Sequence, residues 1–512
     1  MAERRIVELP LNRVEGDLEV RIAIEDGRIA DAWSSGTLYR GFENILKGRA
    51  ALDALVITPR VCGICTTTHL NAAAKALDAA AGLTPPDNAL RLRNIARLVE
   101  GVQSDLRHTI LMFMVDFVTP AYAGQPWFDA AQARFAPLAG SSAIETIRET
   151  KRVIELIAVI GGQWPHSSFM VPGGVTHMPN VTELASCRAL VMRFQQWYET
   201  QVLGCRIERW QAIDSVAALD TWLAESAAHA DGDLGWLLRL GRAAGLDALG
   251  KGCGRFLSYG IADLPREGAV KAGPAFTPGV AIGAVTAAFD QQVIGESIAT
   301  SHYEGYQGLR HPFEGLTRPV APRTDGSSYS YAKAPRYDGE PMETGPLAEA
   351  LVAGDNLCAD WVARHGANAL LRQVARLARP ARLLPLIDTW LTELIDSHDA
   401  PFIAVAPKRI DGVGYGLVNA ARGALGHWAR IEHGEIAAYQ IVTPTAWNGS
   451  PRDDRGVAGP WEQALIGTPV ADLDNPIEAG HVIRSFDPCL VCTVHAYDRH
   501  GTRLGSLRVG GR

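Results

Sequence analysis

No run of about 18 apolar residues occurs in this chain, so no membrane-crossing helix is expected. The first residues, Met1-Ala2-Glu3-Arg4-Arg5-Ile6-Val7, lack the apolar core of a secretory leader, which predicts a chain made in the reducing cytoplasm. No block of lysine or arginine appears. With a net charge of -7 and a pI near 6.1, a nucleic-acid surface is excluded as well. Eight cysteines in 512 residues are too few for a disulfide framework. Four of them, Cys187, Cys205, Cys253 and Cys358, are scattered and read as buried thiols. There is no internal repeat and no low-complexity linker, so no clean domain cut is visible. What remains is a chain with 47% hydrophobic residues, enough for the large core of a globular enzyme.

Hydrophobic patterning gives an α+β reading: a mainly helical middle with β elements near both termini. Residues 5–11 and 18–34 alternate as strands, with Glu25-Asp26-Gly27-Arg28 as a hairpin turn. A short helix closed by glycine is expected over 41–49. Thr66, Thr67 and Thr68 are plausible caps for a helix through 71–77 that ends near Gly82. Apolar residues from Leu90 to Phe113 recur at helical spacing and predict one long core helix over 88–118, and 142–161 repeats the pattern. Residues 181–230 read as more than one helix, 260–345 as irregular with short strands, and about 345–355 and 365–396 as two more helical segments. Short strands return from 402 onward.

The remaining four cysteines form two CxxC doublets at opposite ends of the chain. Arg60-Val61-Cys62-Gly63-Ile64-Cys65 runs on to His69, and Asp487-Pro488-Cys489-Leu490-Val491-Cys492 runs on to His495. A CxxC pair chelates because both sulfurs reach one metal at roughly 2.3 Å. Two pairs can put four thiolates around one soft ion. A structural zinc site and a redox disulfide are the plainer alternatives. Zinc ribbons keep their doublets within tens of residues, however, and a disulfide does not need both pairs. Doublets this far apart suit a buried metal held by the completed fold, which must bring the chain ends together.

These residues resemble the paired signatures of the nickel–iron hydrogenase large subunit, in its uptake and sensory (cyanobacterial-type) branch. Four further blocks match that family in order: Arg13-Val14-Glu15-Gly16-Asp17, Arg40-Gly41-Phe42-Glu43, Ala421-Arg422-Gly423-Ala424-Leu425 and Thr443-Pro444-Thr445-Ala446-Trp447-Asn448. The resemblance covers nearly the whole chain. It implies one intertwined large-subunit domain over 1–495, with 496–512 as a C-terminal maturation peptide cut off after His495.

The resemblance also implies roles. Cys62 and Cys489 would be terminal on nickel, while Cys65 and Cys492 would bridge to an iron carrying cyanide and carbon monoxide. Glu15 would accept the proton, its alternative being a surface strand glutamate. Arg422 would stand over the open metal position, its alternative being a buried salt bridge with Asp487. Thr443, Pro444 and Thr445 would cradle the cyanides, and His69 would donate to a cysteine sulfur. Glu43, His495 and the Ile441 carbonyl would hold magnesium. His108 is given no catalytic role, with core packing its simplest reading.

No other cysteine constellation can carry electrons away, so an iron–sulfur small subunit is an implied partner, with a maturation endopeptidase and nickel-insertion proteins during assembly. The implied function is heterolytic oxidation of molecular hydrogen. The implied location is the cytoplasm or, through partners, the membrane face. A hydrogen-sensing subunit of low turnover is the alternative within the family.

Overall fold

The computed structural model describes residues 5–11, 13–14, 18–323 and 325–489. Glu15, Cys492, His495 and the segment 496–512 lie outside the described residues.

Helix predominates in the middle of the chain and short antiparallel sheets flank it. The largest helices, Asp87–Arg107, Ser141–Gly161, Val181–Trp197 and Pro380–Asp396, share one apolar core. Their ends carry ordinary stop and start signals. Asn180 and Glu183 form a reciprocal capping box, and Gly162 closes its helix with a left-handed backbone. No described helix is long and apolar enough to cross a membrane.

The chain ends meet, as the doublets require. The antiparallel sheet Arg5–Leu11, Leu18–Glu25 and Arg28–Gly36 buries Leu18, Val20 and Ile22 against Trp461, Leu465 and Val482 from the C-terminal region. Ile29 N–H donates to the Thr468 carbonyl at 2.9 Å. A buried ionic knot adds to this. Asp116 accepts from Arg484 at 2.7 and 2.9 Å and also from Arg13, so one carboxylate ties the start, middle and end of the chain.

His481 sits in the same knot, 3.5 Å from Asp116 and 3.0 Å from the Tyr122 hydroxyl. Burial brings its pKa down to about 4 although Asp116 opposes the shift, so the folded state keeps the ring neutral. Below the unfolded value near 6.5 only the unfolded chain takes up the proton, so stability falls as pH drops and the loss is complete near pH 4. Between pH 7 and 5 this group is expected to cost about 2 kcal/mol. Urea unfolding at the two pH values should show that loss, and His481→Gln should shrink it.

The first doublet is placed by a close backbone contact. Gly412, Gly414 and Gly416 alternate on one face of the strand Gly412–Ala420, which lies against the helix Thr66–Ala80. A Cβ at Gly414 or Gly416 would stand 2.1 and 2.0 Å from the carbonyls of Ala76 and Ala72.

Three expectations change in detail. The helix starts at Thr66, so the three threonines form its first turn and do not precede it. The long helix is α-helical over Asp87–Arg107, then turns through a π-helical segment His108–Phe113 and a 3-10 segment Met114–Val118. The pattern over 365–396 divides into Ala369–Ala378 and Pro380–Asp396, because Pro380 starts a new helix.

Candidate metal centre

The sulfurs of Cys62, Cys65 and Cys489 lie within 4.8 Å of one another, all buried. Cys62 Sγ is 3.4 Å from Cys489 Sγ, well beyond the roughly 2.05 Å of a disulfide. Cys65 is held well above the ordinary thiol pKa by hydrogen bonding to Cys489 and Cys62 and by burial. Three thiolates this close repel one another in a dry pocket, and a bound cation removes that penalty.

Each sulfur is carried by a fixed piece of backbone. Arg40 donates to the carbonyls of Val61 at 2.8 Å and Arg60 at 3.0 Å, pinning the loop just ahead of Cys62. Cys65 is the N-terminal boundary residue of the helix Thr66–Ala80 and supplies no side-chain cap. The cap comes instead from Glu100 on the facing helix. Its carboxylate accepts the N–H groups of Thr67 and Thr68 at 2.8 and 2.9 Å, the Thr68 hydroxyl at 2.9 Å and the Trp164 indole at 3.1 Å. Cys489 donates its N–H to the Thr445 hydroxyl at 3.0 Å. Thr443 caps the helix Pro444–Asn448 by accepting the Ala446 N–H at 3.1 Å. Thr443, Pro444 and Thr445 thus stand beside Cys489.

Over the sulfurs stands Arg422, in the two-residue turn that joins Gly412–Ala420 to Gly423–Glu432. Its Nη2 meets Asp487 Oδ1 at 3.0 Å. The expected ion pair is therefore present, beside the cluster. Burial opposes the Arg422 charge, yet Asp487 and the three sulfurs outweigh it and hold the guanidinium firmly protonated. Burial would likewise raise Asp487, but Arg422, His108 and Arg376 hold it below the usual carboxylate range. Asp487 adopts a left-handed backbone, φ 58, just after the helix Ile477–Ser485, which turns its carboxylate inward. His108 Nδ1 lies 2.9 Å from Asp487 Oδ1 and Nε2 lies 2.8 Å from the Arg484 carbonyl, and toward either oxygen the ring can only donate. It therefore bonds into the polar network beside Asp487 and does not merely pack in an apolar core.

The residues fit a bound metal group that carries hydrogen-bond acceptors. The sulfurs are soft donors, and Arg422 Nε and Nη1 are buried without a hydrogen-bond partner among the described residues. A cavity of about 150 Å³ opens beside them, walled by Val14, Ile64, Leu111 and Trp164, with Arg422 and Asp487 at its edge.

One placement differs from expectation. The His69 ring bonds His427 Nε2 through Nδ1 at 3.1 Å, and among the described residues it makes no bond to a sulfur. Burial brings it to about 4, so it is a neutral partner in a histidine pair. Glu43 does stand beside Ile441, accepting its N–H at 3.2 Å. Nearby, Lys333 donates to Thr317 at 3.0 Å and Gln440 at 2.7 Å, and burial pushes Glu296 up to about 7. These residues border a cavity of about 90 Å³ that reaches Cys489. Glu100, His427 and Lys333 had no motif to announce them. Glu100 shares its helix with buried Arg93, Asn94, Arg97 and Asp105, so nothing in the sequence sets it apart.

Comparison with known proteins places this geometry. The family described as nickel-dependent hydrogenase matches residues 40–142 and 242–495. The periplasmic NiFeSe hydrogenase large subunit of Desulfomicrobium baculatum is 30% identical, over 95% of this chain and 94% of its own length. The uptake hydrogenase large subunit of Rhodobacter capsulatus is 29% identical over 99% and 98%. The solved Ni-Fe-Se hydrogenase from D. vulgaris Hildenborough in the reduced state is 29% identical and superposes with a TM-score of 0.79, covering 96% of this chain and 100% of that one.

Proposed function

The chain belongs to the nickel-dependent hydrogenase family, and on that premise we propose that it is the catalytic large subunit of an uptake hydrogenase, oxidising molecular hydrogen to protons and electrons. The observation that carries this is the convergence of three buried sulfurs, drawn from doublets 427 positions apart, beneath a guanidinium two of whose N–H-bearing nitrogens have no partner among the described residues. Cys62, Cys65, Cys489 and Cys492 would hold the group. When bound, a nickel–iron pair with cyanide and carbon monoxide on the iron supplies a soft, redox-active centre for heterolysis of hydrogen.

The chain's own residues do the rest. Arg422 offers Nε and Nη1 to acceptors on the bound group, while Asp487 holds Nη2 of the guanidinium. Thr443, Pro444 and Thr445 form the wall beside Cys489 and supply hydroxyls. The cavity beside Arg422 has an apolar wall of Val14, Ile64, Leu111, Met112 and Trp164 facing Arg13, Gln103, Arg107 and His108, with room for a small uncharged gas. Glu15 takes the proton in this reading. Glu43, the Ile441 carbonyl and His495 would bind magnesium once the C-terminus has been trimmed after His495, which makes 1–495 one domain and 496–512 a maturation peptide. Maturation then needs an endopeptidase and nickel-insertion proteins.

The turn Gly63 is exposed within the first doublet, and Leu52 and Val56 are exposed on the preceding turns. This face suits an iron–sulfur small subunit that accepts the electrons. A cytoplasmic or membrane-face location is carried by the sequence resemblance. The Desulfomicrobium baculatum relative is named periplasmic, so cell fractionation decides the compartment.

The matured chain with its partner is expected to hold nickel, with iron in excess of it because the small subunit's clusters add their own, to show cyanide and carbonyl bands in the infrared, and to reduce a dye under hydrogen. Zinc in place of both metals would overturn the reading. Intact bands with negligible turnover would move the chain to the hydrogen-sensing branch.

A further inference from the structure

The helix Ala369–Ala378 and its C-terminal boundary residue Arg379 carry three long polar side chains, Gln373, Arg376 and Arg379, all buried. Polar groups so placed are costly unless they are well bonded. Their spacing of three residues sets them along one face, spanning about 9 Å of helix rise. Each donates to a main-chain carbonyl. Gln373 Nε2 reaches the carbonyls of Arg484 at 3.3 Å and Ser485 at 3.1 Å. Arg376 Nη1 reaches the Ser485 carbonyl at 2.9 Å. Arg379 Nη2 reaches the Ala421 carbonyl at 3.1 Å.

Those carbonyls belong to the two segments that carry the ion pair over the sulfurs. Ala421 precedes Arg422 in its turn, and Ser485 lies two residues before Asp487. The helix itself is anchored from behind. Asp105 grips Arg379 with two bonds of 2.7 Å, and Glu349 Oε2 lies 3.4 Å from Arg379. Arg372 is paired with Glu343 at 2.7 and 2.8 Å and stacks its guanidinium 3.9 Å from the Phe486 ring centre. The five contacts with 484–486 and 421 therefore share one rigid support.

We propose that Gln373, Arg376 and Arg379 are positioning residues whose shared helix sets where the Arg422 guanidinium and the Asp487 carboxylate stand over the metal-binding sulfurs. Gln373 and Arg379 meet the two segments at backbone carbonyls, and Arg376 adds a direct contact, its Nε 3.9 Å from Asp487 Oδ2. The turnover consequence rests on the hydrogenase reading above, whereas the placement of the two segments does not.

Arg379→Lys keeps the charge but loses the planar fork, and Gln373→Met keeps the volume but loses the donors. In the chain before metal insertion, hydrogen–deuterium exchange is expected to quicken about tenfold in segment 419–424 for Arg379→Lys and in segment 484–488 for Gln373→Met. In the matured heterodimer, the infrared cyanide bands should move and kcat should fall about 10- to 100-fold, with KM for hydrogen and nickel content at wild-type values. Unchanged exchange together with unchanged bands would overturn the proposal. So would a fall in turnover that merely tracks lost nickel. If Arg379→Lys does not fold, Gln373→Met alone decides by the same readouts. A wild type without cyanide bands, in which the variants still quicken exchange, would overturn the hydrogenase reading and leave the brace standing.

Discussion

Cys65→Ser is expected to give a folded chain that retains almost no nickel. The side chain lies at the head of the Thr66–Ala80 helix, whose start is fixed by Glu100 and by close packing on the glycine-lined strand, so removing the sulfur leaves the scaffold in place. The loss falls on the metal. Four-thiolate sites bind soft ions with about 10–16 kcal/mol, so one donor of four accounts for on the order of 3 kcal/mol, or about 10²-fold in affinity. A hydroxyl ionises far less readily than a thiol and is a harder donor, which widens the gap. Metal analysis of the purified heterodimer, alongside its infrared spectrum, checks this. A nickel content matching the wild type would show that Cys65 is not a ligand.

Arg422→Met is expected to keep its nickel and lose its turnover. Arginine is not a metal donor, but its removal leaves the buried Asp487 with only Arg376, 3.9 Å away, and His108 to face it. Breaking a buried pair from one side costs about 3–5 kcal/mol, which at about 1.4 kcal/mol per decade is a fall of roughly two to three and a half decades in kcat for a pair that acts in the transition state. Arg422→Lys should lie between, since it restores the charge without the planar fork. Dye reduction under hydrogen, normalised to nickel, measures the effect. A wild-type rate in Arg422→Met would reduce the pair to a structural salt bridge.

Sequence patterns foretold what depends on local chemistry. The N-terminal hairpin, the helices at 142–161 and 181 onward, and the strands after 402 all lie where alternation or helical spacing puts them. The doublets and the Arg422 turn were legible because each is a short, contiguous signature. What escaped is non-local. Thr66, Thr67 and Thr68 look like self-sufficient caps, but their helix is capped by Glu100, some thirty residues away in sequence. The apolar spacing from Leu90 to Phe113 is real, yet it does not reveal the widened π turn at His108–Phe113 that brings the histidine to Asp487. His69 resembled a sulfur donor by position, but the strand Gly423–Glu432 brings His427 to it first. The carbonyl-holding face of Gln373, Arg376 and Arg379 has no signature at all, since its partners are backbone atoms.

The separation of Cys62 and Cys489 has a consequence for synthesis on the ribosome. Bringing together points 427 residues apart carries a closure entropy of about 5 kcal/mol by the logarithmic loop law. Nothing in the first doublet can compensate for this while the chain is still being translated, because the partner sulfurs have not yet been made. A nascent or prematurely terminated chain presents only Cys62 and Cys65, a two-sulfur site that holds a soft ion weakly. Uptake of a reactive metal is therefore deferred until the whole message has been read, and incomplete products are left without it.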